Sequence, residues 1–206
     1  MKIGIIGAGS IGGNLGKRFS TQGHDIRFGV RDVEKTRDIV AACGDRASAG
    51  SVNEAAAFGD VVILAVPWRA VFEALSAAGD LKNKILVDTT NPIRFENGPV
   101  VDVSTSGAEI IAEKTGARVI KAFNTLGAEH ILEPNVHGQK ADVFLCSDDP
   151  EAKRTLGTLA EQIGFAVVDA GPLRSARFAE HLAAGWIHMA MKGGLGRNIA
   201  FKLMRA

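Results

Sequence analysis

Short runs rich in valine and isoleucine alternate with stretches in which apolar residues recur every three or four positions. The runs Lys2–Ile6, Asp25–Phe28, Asp60–Ala65, Lys84–Val87, Arg118–Ala122, Asp142–Cys146 and Ala166–Asp169 are nearly continuous in apolar character, as strands covered on both faces must be. Between them, Ile11–Gln22, Val33–Ala42, Trp68–Ala77, Ser106–Lys114 and Pro150–Ile163 read as amphipathic helices. A short helix is expected over 51–57, where Ser51 and Glu54 have capping-box spacing. Alternation at this spacing predicts βαβ units and an α/β, doubly wound parallel sheet. From Arg174 the periodicity is helical to about Lys192, and Gly193, Gly194 and Gly196 then lead into a tail. The expected organisation is one α/β domain over 1–172, with a small C-terminal helical extension over 173–206 packing on it.

The first strand breaks into Gly7-Ala8-Gly9-Ser10-Ile11-Gly12 and a helix follows. This G-x-G-x-x-G, placed between strand and helix with a second strand after it, is the phosphate-binding fingerprint of a Rossmann-type domain. Gly7 permits the turn, Gly9 lets backbone approach a diphosphate, and Gly12 lets the helix pack on the strand. The diphosphate then meets unpaired amides at the positive end of the helix. The second strand ends near Gly29, and no carboxylate stands at its tip; Arg31 follows at once, with Lys35 one helical turn on. A guanidinium there binds a ribose 2′-phosphate through parallel hydrogen bonds. The nucleotide therefore reads as NADP(H) rather than NAD(H), and a desolvated Arg31–phosphate pair is expected to contribute several kcal/mol.

Three further strand ends are unusual. Ala65, Val66 and Pro67 close one; Asn91 and Pro92 follow Thr89 and Thr90 at the next; Phe123 and Asn124 close another. Ligands in open parallel sheets lie outside the carboxyl ends of strands, so these groups are expected to converge around a nicotinamide.

The segments "GIIGAGSIGGNLGKRF", "GHDIRFGVRD", "VVILAVPW", "KAFNTLGA" and "DAGPLRSARFAE", in this order, resemble the NADP oxidoreductases that use the deazaflavin coenzyme F420. They are equally similar to the NADPH-binding domain of the metalloreductases, which passes electrons to a flavin. The resemblance runs from Met1 to about Lys202. It implies an NADP-binding Rossmann domain, whose helical extension helps form a pocket for a second redox cofactor. It also implies that Gly9, Ser10 and Ile11 hold phosphate, that Arg31 and Lys35 meet the 2′-phosphate, and that Ala65, Val66 and Pro67 wall the riboses. A family serine is Val30 here. The chain also departs from the deazaflavin enzymes at Asn124, where they carry histidine and the metalloreductases carry asparagine. His181 and Ala183 replace hydroxyl residues. Asn124 and His181 are thus the candidates on the acceptor side, and the acceptor itself, deazaflavin or flavin, stays open.

Composition narrows the chemistry. Tyrosine is absent from the 206 residues, which excludes any reductase mechanism that draws its proton from a tyrosine hydroxyl. Hydride transfer between two redox cofactors needs no acid–base pair, because the cofactors carry the reaction and the protein orients them. The net charge of +1 argues against a nucleic-acid partner. No apolar run approaches the ~20 residues of a membrane span, and Met1 leads into a strand without a leader pattern, so a cytoplasmic protein is expected. Cys43 and Cys146 are far apart and suggest neither a metal cluster nor a disulfide. His24 reads as a turn residue; His130 and His137 lack a third metal ligand nearby; His181 and His188 share a helix face. Lys121 and Lys192 are expected to be solvated. Phe178, Leu182, Trp186 and Met189 form a stripe that fits either the core or a homo-oligomer seam. Two other functions compete: a small-substrate imine or keto reductase, and a non-catalytic NADP(H)-sensing protein.

Overall fold

The computed structural model describes residues 1–204. The chain runs β1 (Lys2–Ile6), α1 (Ser10–Thr21), β2 (Asp25–Gly29), α2 (Arg37–Cys43), β3 (Ala47–Gly50), α3 (Val52–Phe58), β4 (Val61–Leu64), α4 (Val71–Ala78) and β5 (Ile85–Asp88). It continues through a hairpin of β6 (Ile93–Phe95) and β7 (Pro99–Val101), then α5 (Gly107–Thr115), β8 (Arg118–Lys121) and α6 (Ala128–Leu132). A second hairpin, β9 (Asn135–Val136) and β10 (Gln139–Lys140), precedes β11 (Asp142–Leu145), α7 (Pro150–Gln162), β12 (Ala166–Asp169) and α8 (Ala176–Met191).

Six parallel strands form the main sheet in the order β3-β2-β1-β4-β5-β8, so the order reverses at β1. The strands alternate between two cores. Ile3, Ile5, Val61, Ile63, Ile85, Val87 and Ile120 face α1 and α7, with Leu15, Phe19, Leu156 and Leu159. Ile6, Val62, Leu64, Leu86 and Val119 face the other way, toward Val71 and Leu75 of α4, Ile111 of α5 and Ala176 and Ala179 of α8. The helix expected over 51–57 is α3, and its capping box is complete: the Ser51 hydroxyl accepts from the Glu54 amide, and the Glu54 carboxylate accepts from the Ser51 amide.

The structure departs from the sequence expectation in several places. β11 and β12 pair in parallel with each other but do not extend the parallel ladder; an antiparallel bridge, Lys121 to Cys146, joins the end of β11 to β8. The link from β8 to β11 carries a five-residue helix and a two-residue-strand hairpin. The helix expected from Val33 starts as a 3₁₀ turn over Glu34–Thr36, where the Thr36 hydroxyl bonds the Val33 carbonyl at 2.6 Å and competes with the helical ladder. The stripe on α8 is not continuous: Trp186 is buried but Phe178 is 71% exposed, and the inward face is Ala176, Ala179, Glu180, Ala183, Trp186 and Ala190. Beyond α8 the tail doubles back. The Trp186 indole N–H donates to Ile199 O at 2.8 Å, the Asp142 amide donates to Phe201 O at 3.2 Å, and Lys202 pairs with Asp142 at 2.7 Å.

Candidate functional site

The carboxyl ends of β1, β2, β4, β5 and β8 open onto one edge of the sheet. At β1 the Gly7 amide donates to Gly29 O at 3.0 Å, which pins the glycine turn to the tip of β2. Gly12 packs so closely that a Cβ on it would lie 2.1 Å from Gly7 O; around Gly9, in contrast, a Cβ would meet nothing within 4 Å. The first backbone bond of α1 runs from the Gly13 amide to Gly9 O, so the amides of Ser10, Ile11 and Gly12 have no partner in the helix. No side chain caps this end, and its first turn holds no acidic residue. An anion fits there, in open space, against three free donors and the helix dipole.

A cleft of about 510 Å³ extends from this turn between β2 and α4. Val52, Val66, Pro67, Ala70, Ala74 and Ala77 make its apolar walls, a surface suited to a planar heterocycle, and Arg31 and Lys35 stand at its rim. Two carboxylates accompany them. Arg31 lies 3.6 Å from Glu73 across the cleft, and Lys35 lies 3.2 Å from Asp32, with all four side chains exposed. Asp32, which also lines the cleft, accepts the Glu34 amide at 3.2 Å in a local turn. The counter-charge of Arg31 is therefore Glu73, not the adjacent Asp32.

On the other side of the turn, Asn91 and Asn124 form a reciprocal amide pair. Asn124 Nδ2 donates to Asn91 Oδ1 at 3.0 Å and to Ala179 O at 3.0 Å, and Asn91 Nδ2 donates to Asn124 O at 2.9 Å. Asn124 is 6% exposed, and its Oδ1 is sealed from solvent with no hydrogen-bond partner among the described residues. Pro92 is buried beside Asn91. Phe123 takes a left-handed φ of 60°, unusual for a large side chain. That twist sends its ring into the core, edge-on to Phe165 at 5.8 Å, so Phe123 shapes the strand end without lining the cleft.

His181 is exposed, and its Nδ1 bonds the Arg177 carbonyl at 2.7 Å. It lies two residues from Ala179, hence on nearly the opposite face of α8, and is not brought to Asn124. His24 is buried with Nε2 on Gln162 at 2.9 Å, and His130 is buried in α6. No group of three or more His, Cys, Asp or Glu side chains is placed to hold a metal among the described residues. Cys43 and Cys146 are free and buried, and burial pushes the Cys146 thiol up to about 11.

Lys121 overturns the expectation of a solvated lysine. It is fully buried, and Nζ donates to Asp88 Oδ2 at 2.8 Å, Glu180 Oε1 at 2.8 Å and Thr90 O at 2.6 Å. Asp88 and Lys121 are register partners at the ends of β5 and β8, on the face that α8 covers. Burial opposes the ammonium charge, but the Asp88 and Glu180 carboxylates outweigh it and raise the lysine pKa. The available sequence signal was an acid and a base each ending an apolar strand.

Comparison with known proteins gives a consistent result. Residues 2–92 match the model of the family "NADP oxidoreductase coenzyme F420-dependent". The F420-dependent NADP reductase of Methanothermobacter thermautotrophicus is 32% identical over 98% of this chain and 94% of its own length. Metalloreductase STEAP3 of Rattus norvegicus is 33% identical over 87% of this chain, which spans only 36% of that longer protein. A solved structure of a candidate F420-dependent NADP-reductase from Arthrobacter sp. FB24 superimposes with a TM-score of 0.90 at 30% identity, covering all of both chains.

Proposed function

The chain belongs to the coenzyme F420-dependent NADP oxidoreductase family, and from that premise we propose that it transfers hydride between NADP(H) and a deazaflavin or flavin. It is an NADP-dependent oxidoreductase; the ring that exchanges hydride with the nucleotide is the proposed part. The observation that carries the reading is the uncapped start of α1 next to Arg31 and Lys35, which suits a diphosphate and a ribose phosphate on one nucleotide. On this reading the amides of Ser10, Ile11 and Gly12 hold the diphosphate. Val66 and Pro67 line the apolar wall beside it, with Ala65 at the close of β4. The nicotinamide lies against the Asn91–Asn124 pair, and Asn91 fixes the orientation of Asn124. The bound nucleotide supplies the hydride chemistry; the protein supplies alignment, and no side chain here has to give or take a proton. Residues from 173 onward close the acceptor side, through the Ala179 carbonyl that holds Asn124. No helix among the described residues is long and apolar enough to cross a membrane.

The test is steady-state oxidation of NADPH with deazaflavin F420, FMN, FAD and a cyclic imine offered separately. Turnover with a deazaflavin or flavin is expected. Turnover with the imine alone would replace this reading with a small-substrate reductase, and binding without any turnover would leave a nucleotide sensor.

Arg31→Glu tests the ribose phosphate. Charge-assisted hydrogen bonds are strong when desolvated, but the Arg31 side chain is 83% exposed and solvent screens it. NADPH affinity should therefore fall about tenfold, roughly 1.4 kcal/mol, while NADH affinity changes little; calorimetry with both nucleotides reads this. The several kcal/mol expected for a desolvated pair does not apply to so open a site.

A further inference from the structure

The Asp88–Lys121–Glu180 cluster contains one more acid than its lysine needs. All three side chains are inaccessible to solvent, and the three protons on Nζ are used by Asp88, Glu180 and Thr90 O. Asp88 Oδ1 accepts from the Thr90 amide at 2.8 Å and its hydroxyl at 2.7 Å. Glu180 Oε2 accepts from the Gly107 amide at 3.1 Å, in the first turn of α5. Two carboxylates and one ammonium sum to one negative charge. The partial positive charge at the start of α5 offsets some of it, but a buried carboxylate remains in excess, an arrangement that costs stability unless something else favours it.

The location suggests what that is. Asp88 ends β5 and Asn91 lies three residues beyond it; Lys121 ends β8 and Asn124 lies three residues beyond it. The cluster and the amide pair therefore close the same two strand ends, and Glu180 directly follows Ala179, whose carbonyl accepts from Asn124. Loss of a hydride, one proton with two electrons that pass to the acceptor ring, leaves the nicotinamide with a positive charge that its reduced form lacks. Resting on the reading that the nicotinamide lies against Asn91 and Asn124, we infer that the buried cluster biases this site toward the cationic, oxidised nicotinamide. Asp88, Lys121 and Glu180 are positioning residues: they act through the field they set and through the two asparagines.

The experiment measures dissociation constants for NADP⁺ and NADPH at one salt concentration, in the unmodified chain, in Glu180→Gln and in Asp88→Asn. Each substitution removes one negative charge and keeps the side-chain shape, and the two sit on different elements, so misfolding of one leaves the other informative. The ratio Kd(NADPH)/Kd(NADP⁺) should fall five- to tenfold in each variant; a tenfold change equals about 30 mV for a two-electron couple. A purely structural pin would weaken both nucleotides together and leave the ratio unchanged, which overturns the inference. Failure of the unmodified chain to bind either nucleotide overturns the nucleotide reading itself, and is seen before any variant is made.

Discussion

Lys121→Met should destabilise the protein by about 3–5 kcal/mol, the cost of leaving a buried charge without its partner. The methionine fills the space of the lysine stem but leaves Asp88, Glu180 and the Thr90 carbonyl without their shared donor. For a chain of this size the melting temperature should drop on the order of 10 °C, read by calorimetry or circular dichroism. The loss should also acquire a pH dependence. Without the ammonium, two carboxylates lie buried together with no counter-charge, a cost that acid relieves. Stability is then best retained at acid pH and is lost as pH climbs toward neutral. The unmodified protein behaves differently: its Lys121 pKa is raised from 10.5 by the two acids, so that contribution is intact below about pH 10 and fades only above it. A variant equally stable at pH 4 and pH 8, and close to the parent at both, would contradict the buried cluster.

Gly9→Asp should move stability and binding in opposite directions. Gly9 is the N-cap of α1, with extended backbone (φ −74°, ψ −166°) and no neighbour where a Cβ would stand. Aspartate is a favoured N-cap and exceeds glycine there by a few tenths of a kcal/mol; its charge also suits the helix dipole. The melting temperature should hold or rise slightly. The same carboxylate would occupy the space meant for a diphosphate. Like charges ~5 Å apart at an effective dielectric near 20 repel by about 3 kcal/mol, so NADPH affinity should fall by more than about a hundredfold. Gly12→Ala is the contrast, since its Cβ would collide with Gly7 O and damage the fold before the site. Parallel melting and binding titrations separate the two, and unchanged NADPH affinity in Gly9→Asp would remove the phosphate site from this turn.

The strands of the main sheet were legible because two covered faces force a continuous apolar run, and Ile3–Ile6, Val61–Leu64 and Ile85–Val87 have no other use. β3 was not, because Ala47–Gly50 consists of small residues with no β-branched or aromatic side chain and becomes a strand by pairing with β2. The hairpins β6–β7 and β9–β10 are too short to carry a period. At the candidate site, the place of the glycine turn, Arg31 and Lys35 along the cleft could be read because each follows directly from its own strand end. Glu73, facing Arg31 from α4, and Glu180, reaching Lys121 from α8, could not: nothing local relates residues so far apart. Lys121 was misread because an isolated lysine at a strand end is ordinarily solvated, and its two acids arrive from other elements.

The two ends of the proposed nucleotide site draw on opposite ends of the polypeptide. The proposed phosphate-holding turn takes its backbone from β1, α1 and the tip of β2, within the first thirty-five residues. The proposed nicotinamide end waits for α8, whose Ala179 carbonyl holds Asn124 and whose Glu180 completes the lysine cluster. Fraying of that last helix would loosen ring alignment while nucleotide capture persisted, so grip and turnover are separable properties with separate weak points.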